Sequence, residues 1–255
     1  MIGMDLRALD LAALNSLTKY PSIPTYHALD PRTGGLLDET VAFTGPVVLT
    51  EKVDGTNARI VQLPGGDWLI GSREELLHAR GDLIHNPSQG IVDALRPVAE
   101  ALPPAAALRV WFLELYGGKI GGAARQYTAD PARFGWRLFD AFETATPALD
   151  RTPQQISAWR DAGGQPYLPE DALTALGADA GLTLTPRLAT MDAADLPTSV
   201  DKTRALLGDL LPATRVALGG APAGRSEGVV LRTPDRSVIA KARFADYDRT
   251  LKRRR

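Results

Sequence analysis

Lys52 stands in the heptapeptide Glu51-Lys52-Val53-Asp54-Gly55-Thr56-Asn57. An amine at the end of a strand is a poor packing group, but it becomes a nucleophile where burial or neighbouring cations lower its pKa. The same residues also read as a solvated lysine beside a turn. Glu114 is the second chemical signal. It interrupts the apolar run Arg109-Val110-Trp111-Phe112-Leu113-Glu114-Leu115-Tyr116-Gly117-Gly118, where a carboxylate is costly unless a partner or ligand meets it. Lys241 and Arg243 are the third. They flank Ala242 in an alternating segment, so both project from one face, and two adjacent cations repel unless an anion joins them. That pattern suits a phosphate.

These residues sit at the ends or faces of predicted strands. Val47-Val48-Leu49 closes a buried strand, the Asp54-Gly55 signal predicts a hairpin turn, and Ala58-Arg59-Ile60-Val61 alternates as the returning strand. Trp68 to Ser72 forms another strand and ends at Arg73. Arg109 to Gly118 reads as a strand buried on both faces, and Trp136-Arg137-Leu138-Phe139-Asp140-Ala141-Phe142 as a further one. A loop carrying Glu227 leads into Gly228-Val229-Val230-Leu231-Arg232, and Ser237 to Phe244 supplies the last strand. Helices are expected over Asp5–Leu17, over Ser88–Leu102 with an interruption at Pro97, from Thr152-Pro153, near Pro169–Leu176, over Ser199–Leu210 and in the tail from Asp246. Asp30 to Gly45 reads as a loop. Thr144 to Pro222 carries no assignable chemistry.

The 255 residues are 44% hydrophobic and 23% charged, enough apolar mass for one large domain or two small ones. The formal net charge of −1 means that nucleic-acid binding needs a local basic face rather than a basic protein. With no cysteine, disulfides, thiolate metal sites and cysteine catalysis are excluded. No apolar run reaches membrane-spanning length, and Met1-Ile2-Gly3-Met4-Asp5 lacks the start of a signal peptide, so a cytoplasmic location is expected. Lys119, Arg125 and Arg133 either line a nucleic-acid path or are solvated surface. The terminal Lys252-Arg253-Arg254-Arg255 either meets phosphates or frays.

Lys52-Val53-Asp54-Gly55 resembles the nucleotidyl-acceptor signature of the covalent nucleotidyltransferase superfamily: ATP-dependent DNA ligases, RNA ligases and mRNA capping enzymes. The full heptapeptide is most similar to the double-strand, nick-sealing RNA ligases. The Tyr-Pro-Ser-Ile segment at Tyr20 also resembles the opening of that family. Four more segments resemble its motifs in order: Phe-Leu-Glu-Leu-Tyr-Gly-Gly around Glu114, the Phe-Asp pair at Phe139, Glu-Gly-Val-Val-Leu-Arg from Glu227, and Lys-x-Arg at Lys241 and Arg243.

The resemblance implies an α+β nucleotidyltransferase (ATP-grasp-like) domain with largely antiparallel sheets flanking an ATP cleft. A single such domain is expected over residues 1–255, without the C-terminal oligonucleotide-binding domain of DNA ligases and capping enzymes or the C-terminal helical domain of the double-strand RNA ligases. It implies Lys52 as the nucleophile that becomes lysyl-AMP. Glu51, Asn57, Arg73, Glu114, Phe139, Lys241 and Arg243 would join it in binding ATP. Glu227 and Glu114 would support Mg²⁺ or Mn²⁺. Phe139 fits the aromatic that stacks on adenine, and Phe142 reads as core. The expected substrate is RNA with 5′-phosphate and 3′-hydroxyl ends; either the chain is a minimal ligase, or an accessory protein or domain supplies the grip on that substrate, or the chain self-adenylylates but seals poorly. DNA ligation, capping-type guanylyl transfer and a non-catalytic nucleotide- or RNA-binding module are the alternatives.

Overall fold

The computed structural model describes residues 6–79, 84–85, 90–145, 149–220 and 223–254. Two antiparallel sheets face each other across a cleft. The four-stranded sheet contains β3 (Pro46–Lys52), β10 (Arg187–Asp192), β11 (Gly228–Arg232) and β12 (Ile239–Arg243), in the order β10-β3-β11-β12. The six-stranded sheet contains β4 (Thr56–Gln62), β5 (Trp68–Ser72), β6 (Leu76–Ala79), β7 (Ile84–His85), β8 (Leu108–Gly117) and β9 (Phe134–Thr144), in the order β7-β6-β5-β4-β8-β9. β1 (His27–Leu29) and β2 (Leu36–Thr40) form a separate hairpin.

The expected hairpin after Lys52 does not form. β3 pairs with β10 and β11, whereas β4 pairs with β5 and β8. Val53, Asp54 and Gly55 therefore carry the chain from one sheet into the other. Both flanking strands have two better-matched apolar partners than each other, and an Asp-Gly turn signal cannot distinguish a hairpin from such a crossover. The crossing is tight. A Cβ on Gly55 would lie 1.9 Å from the Leu115 carbonyl oxygen.

Helices cover both faces of the six-stranded sheet. α2 (Ile91–Ala101) sets Ile91, Val92, Leu95 and Ala99 against Ile60, Ile70 and Trp111. On the other face, α1 (Leu11–Thr18) and α3 (Pro153–Asp161) enclose Val61, Val110, Phe112 and Phe142. This two-sided burial is why β8 lacks polar alternation. α4 (Glu170–Asp179) packs Leu173 on the same core as α2. In the four-stranded sheet one face packs against α5 (Val200–Leu210) and α6 (Phe244–Arg254) through Val47, Leu49, Val229, Leu231, Ala240 and Ala242. The alternate residues face the cleft.

Several expected boundaries shift. The N-terminal helix becomes a 3₁₀ turn at Leu6–Ala8 followed by α1, capped by Asp10, and its expected first residue Asp5 lies outside the described residues. The expected loop from Asp30 holds β2, whose Leu36 is buried. α2 runs on through Pro97, which sits on its exposed side, where the carbonyl deprived of a donor tilts toward water. The expected start of this helix at Ser88 lies outside the described residues. α3 starts at Pro153 with a Thr152–Gln155 capping box, as its sequence predicts. The tail forms α6 and docks rather than fraying: Arg253 donates to the Thr33 carbonyl and Arg254 to that of Leu36. Arg255 lies outside the described residues. Among the described residues no helix is long and apolar enough to cross a membrane.

The crossover makes a stability prediction. Gly55→Ala should lower unfolding stability by about 3 kcal/mol, because backbone must move to admit the new carbon. Gly122→Ala, which meets nothing within 4 Å, should leave the urea midpoint unchanged.

Candidate active site

A cleft of about 430 Å³ lies between the sheets, and Lys52 stands on its wall at the crossover. The register of the four-stranded sheet arranges its cleft-facing residues in three cross-strand rows. Lys52, Gly228 and Arg243 form the first, Thr50, Val230 and Lys241 the second, and Val48, Arg232 and Ile239 the third. Gly228 keeps the first row close, since a Cβ there would meet the Ala242 carbonyl oxygen at 2.1 Å. Four cations, Lys52, Arg232, Lys241 and Arg243, thus share one face, and Lys241 and Arg243 lie on it together as their alternation predicts.

Lys52 is ion-paired with Glu227, at the entry to β11. Its carbonyl accepts from the Ser226 hydroxyl at 2.9 Å. The crossover is pinned by two more contacts. The Asp54 N–H donates to the Tyr127 hydroxyl at 2.6 Å, and the Gly55 N–H donates to Glu114 Oε1 at 3.1 Å. Glu114 faces Asn57 across β4 and β8. Asn57 Oδ1 is buried without a hydrogen-bond partner among the described residues, an acceptor left for a ligand.

Burial pushes the Glu114 carboxyl up to about 8, opposed by the Lys52 charge and reinforced by Glu227. Asp54 is also raised, first by burial and then by Glu227. Lys241 is lowered by burial, with Arg243 and Lys52 adding like-charge repulsion. Arg243 is not a free cation: it forms two hydrogen bonds with Asp246, at 2.7 and 3.1 Å. Lys52 and Arg243 thus each have a carboxylate beside them, Glu227 at Lys52 and Asp246 at Arg243.

All nine residues singled out from the sequence line the cleft, but two are used differently. Glu51 is 1% exposed, and its carboxylate accepts from the Thr214 hydroxyl at 2.5 Å and the Arg215 N–H at 2.9 Å. Those bonds make it a brace beneath Lys52 rather than a free ligand group. Arg73 reaches the cleft but donates to the Ser22 hydroxyl at 3.0 Å. Phe139 occupies a β-bulge. Phe112 pairs with Asp140 and Leu113 with Leu138, so Phe139 has no partner across the ladder and turns to the cleft. Phe142 is fully buried in the core.

Five further residues on the cleft were not singled out as site residues. Tyr20 and Ile23 belong to the Tyr-Pro-Ser-Ile segment and Val230 and Arg232 to the Glu-Gly-Val-Val-Leu-Arg segment, whereas Thr185 gave no sequence signal. The span without assignable chemistry also contributes. It supplies β10, the Thr214 brace on Glu51, and Thr185, whose N–H donates to Leu138 while the next carbonyl, on Pro186, accepts from Glu51. Arg133 pairs with Asp130, while Lys119 and Arg125 are exposed.

A pH prediction follows from Glu114. Its folded-state pKa lies above the ordinary value of 4.5, so its ionisation opposes folding. The penalty is absent below about pH 4.5, grows as pH rises toward 8 and is constant above. Glu114→Gln should therefore gain stability relative to the parent chain between pH 5 and pH 8, by about 2 kcal/mol after screening, measured by urea unfolding.

The family model described as RNA ligase matches residues 45–252. Comparison with curated proteins gives no match. Among solved structures, a variant of Naegleria gruberi RNA ligase with ATP and manganese superimposes with a TM-score of 0.55 at 14% identity, covering 81% of this chain and 52% of that one. The same ligase with pyrophosphate gives 0.54 at 13% identity, covering 92% and 64%. An archaeal ATP-dependent RNA ligase gives 0.50 at 20% identity, covering 90% and 49%. This chain thus spans between 49% and 64% of the length of these ligases. At these identities the likeness is one of fold, and it matches the expected α+β architecture of antiparallel sheets around a cleft. The match over residues 45–252 takes in the Lys52 crossover, both sheets and all nine singled-out residues, and by it the chain belongs to the RNA ligase family.

Proposed function

We propose that this chain is an ATP-dependent RNA ligase that joins a 5′-phosphate to a 3′-hydroxyl through lysyl-AMP. The observation that carries the reading is Lys52 held at the seam of two sheets, facing Glu227, in the same cross-strand row as Arg243 and beside Lys241. ATP would lie with its base between Phe139 and Val230, its ribose toward Glu114 and Arg73, and its α-phosphate over Lys52. Asn57 and Lys241 supply polar contacts along that path.

In the first step the Lys52 amine, its proton released, attacks the α-phosphorus. An N–P bond forms, the P–O bond to the β-phosphate breaks, and pyrophosphate leaves. Glu227 holds the ammonium in place before the step and is the nearest acceptor for its proton. The cations Lys241 and Arg243 offset the charge that builds on the phosphoryl oxygens. In the second step an RNA 5′-phosphate oxygen displaces Lys52, giving a 5′-5′ adenylylated end. In the third a 3′-hydroxyl attacks that phosphate and AMP departs. All three steps are in-line transfers, so positioning and charge neutralisation carry the catalysis.

The residues present fit a divalent cation of the hard type. Among the described residues no group of three or more His, Asp or Glu forms a protein-only cage. Mg²⁺ or Mn²⁺ shared with phosphate oxygens needs only one or two carboxylates, and Glu227 and Glu114 would supply them. The bound cation would neutralise phosphate charge. The Naegleria ligase solved with ATP and manganese supports that pairing of ligands.

Intact-mass measurement tests the reading. With ATP and Mg²⁺ the protein should gain one AMP, and Lys52→Ala should gain none, a loss of more than about 10³-fold in labelling rate. Addition of a 5′-phosphorylated nicked RNA duplex should discharge the adduct as sealed strand forms. An adduct on the alanine variant overturns the assignment of Lys52. An adduct from GTP alone turns the reading to capping chemistry, and sealing confined to DNA turns it to DNA ligation.

A further inference from the structure

Among the described residues, Arg236 is the one non-glycine position with a left-handed backbone (φ 65°). It lies in the turn between β11 and β12, where its N–H donates to the Thr233 carbonyl at 2.9 Å. Glycine or asparagine fills such a position at lower cost. An arginine there points to a use for its side chain. That side chain leaves the four-stranded sheet and crosses to the other. Nε donates to Asp140 Oδ2 at 2.7 Å and Nη2 to the Tyr20 hydroxyl at 2.9 Å, while the same hydroxyl donates to Asp140 Oδ2 at 2.9 Å. The three groups close a triangle. The Asp140 side chain is fully buried and that of Arg236 is 7% exposed.

Each corner belongs to a different part of the fold. Arg236 ends the β11–β12 turn, Asp140 adjoins the bulged Phe139 in β9, and Tyr20 begins the strap Tyr20–Tyr26. The strap's far end is tied to β12, where Lys241 and Tyr26 exchange backbone bonds with the Pro24 carbonyl and the Lys241 carbonyl. Tyr20 packs edge-on against Phe139, with ring centroids 5.0 Å apart and planes at 90°, and both rings line the cleft. Tyr20 lies upstream of the segment that matches the family.

We propose that the Arg236–Asp140–Tyr20 triangle is a positioning unit for the base end of the cleft: it fixes Tyr20, which packs edge-on against Phe139 and so holds the Phe139 ring oriented to stack on a purine. The unit ties the two sheets where the base would enter. None of its three members bonds to Lys52, Glu227 or Lys241. Its contribution is to nucleotide capture, not to the lysine chemistry. The proposal rests on the reading of the cleft as an ATP site.

Tyr20→Phe keeps the ring and removes the hydroxyl. Arg236→Gly removes the guanidinium and relieves the left-handed backbone. For each, the dissociation constants of ATP and of ribose 5′-triphosphate, which lacks the base, are measured by calorimetry. The rate of AMP-adduct formation is measured at saturating ATP. Expected is about a tenfold weaker ATP complex. The ribose 5′-triphosphate complex and the saturated rate should stay within about twofold of the parent. Equal weakening of both ligands, or a slower saturated rate with unchanged affinity, overturns the proposal. A parent chain that binds ATP beside variants that bind it equally well overturns this proposal alone. A parent chain that binds no ATP overturns the nucleotide reading and this proposal with it.

Discussion

The chain leaves one sheet immediately after Lys52 and enters another at Thr56, and the cleft exists because of that crossing. β3 lies between β10 and β11, and β4 between β5 and β8, so both ends of the three-residue link are central strands. A central strand is held by ladders on both sides and cannot shift register without turning its apolar face to water. Lys52 is therefore placed by the packing of two sheets rather than by a loop. The link has no slack: Gly55 sits against the Leu115 carbonyl, and the N–H groups of Asp54 and Gly55 are both taken by side chains. Such placement on rigid elements would suit the proposed transfer, in which small displacements of an attacking atom cost rate steeply.

Electrostatics around the link follow from the same geometry. Glu227, Glu114 and Asp54 come near Lys52 because the entry to β11, the end of β8 and the link itself converge at the crossing. Burial disfavours the charged form of Glu114, Asp54 and Lys241, while the short ion pair between Lys52 and Glu227 compensates locally. A polyanion with a divalent cation would bring both signs of charge into this balance.

At the opposite end of the cleft the sheets are joined by ionic groups instead of apolar contacts. Asp140 meets Arg236 and, at 3.8 Å, Arg232, while Glu170 meets Arg232 at 3.0 Å and Arg187 at 2.6 Å. Burying such groups adds little net stability, since desolvation offsets most of the attraction. What the directional bonds do provide is a fixed relation between β9, β11 and the strap, which apolar packing alone would leave free to slide. The fold accepts a left-handed arginine in the β11–β12 turn to complete this arrangement.

Side-chain chemistry was legible wherever it coincided with local periodicity. Alternation alone put Lys241 and Arg243 on one face, two-sided apolar character marked β8 and made Glu114 conspicuous, and the Thr152-Pro153 start of α3 was read from the proline in its first turn. Those features depend on residues within one or two turns or pleats of each other. Pairing partners do not. The Asp54-Gly55 signal suited a hairpin, and only competition among strands from distant parts of the chain made it a crossover. The bulge that turns Phe139 toward the cleft depends on the register of β9 against β8, and the bonds on Glu51 come from Thr214 and Arg215, 163 and 164 residues away. Local pattern thus marked Lys52, Glu114, Lys241 and Arg243 and the strand faces of the last two, and the resemblance to a series of motifs added Glu51, Asn57, Arg73, Phe139 and Glu227. The packing of two sheets decided which of them share a cleft, because long-range pairing is a choice among all strands at once.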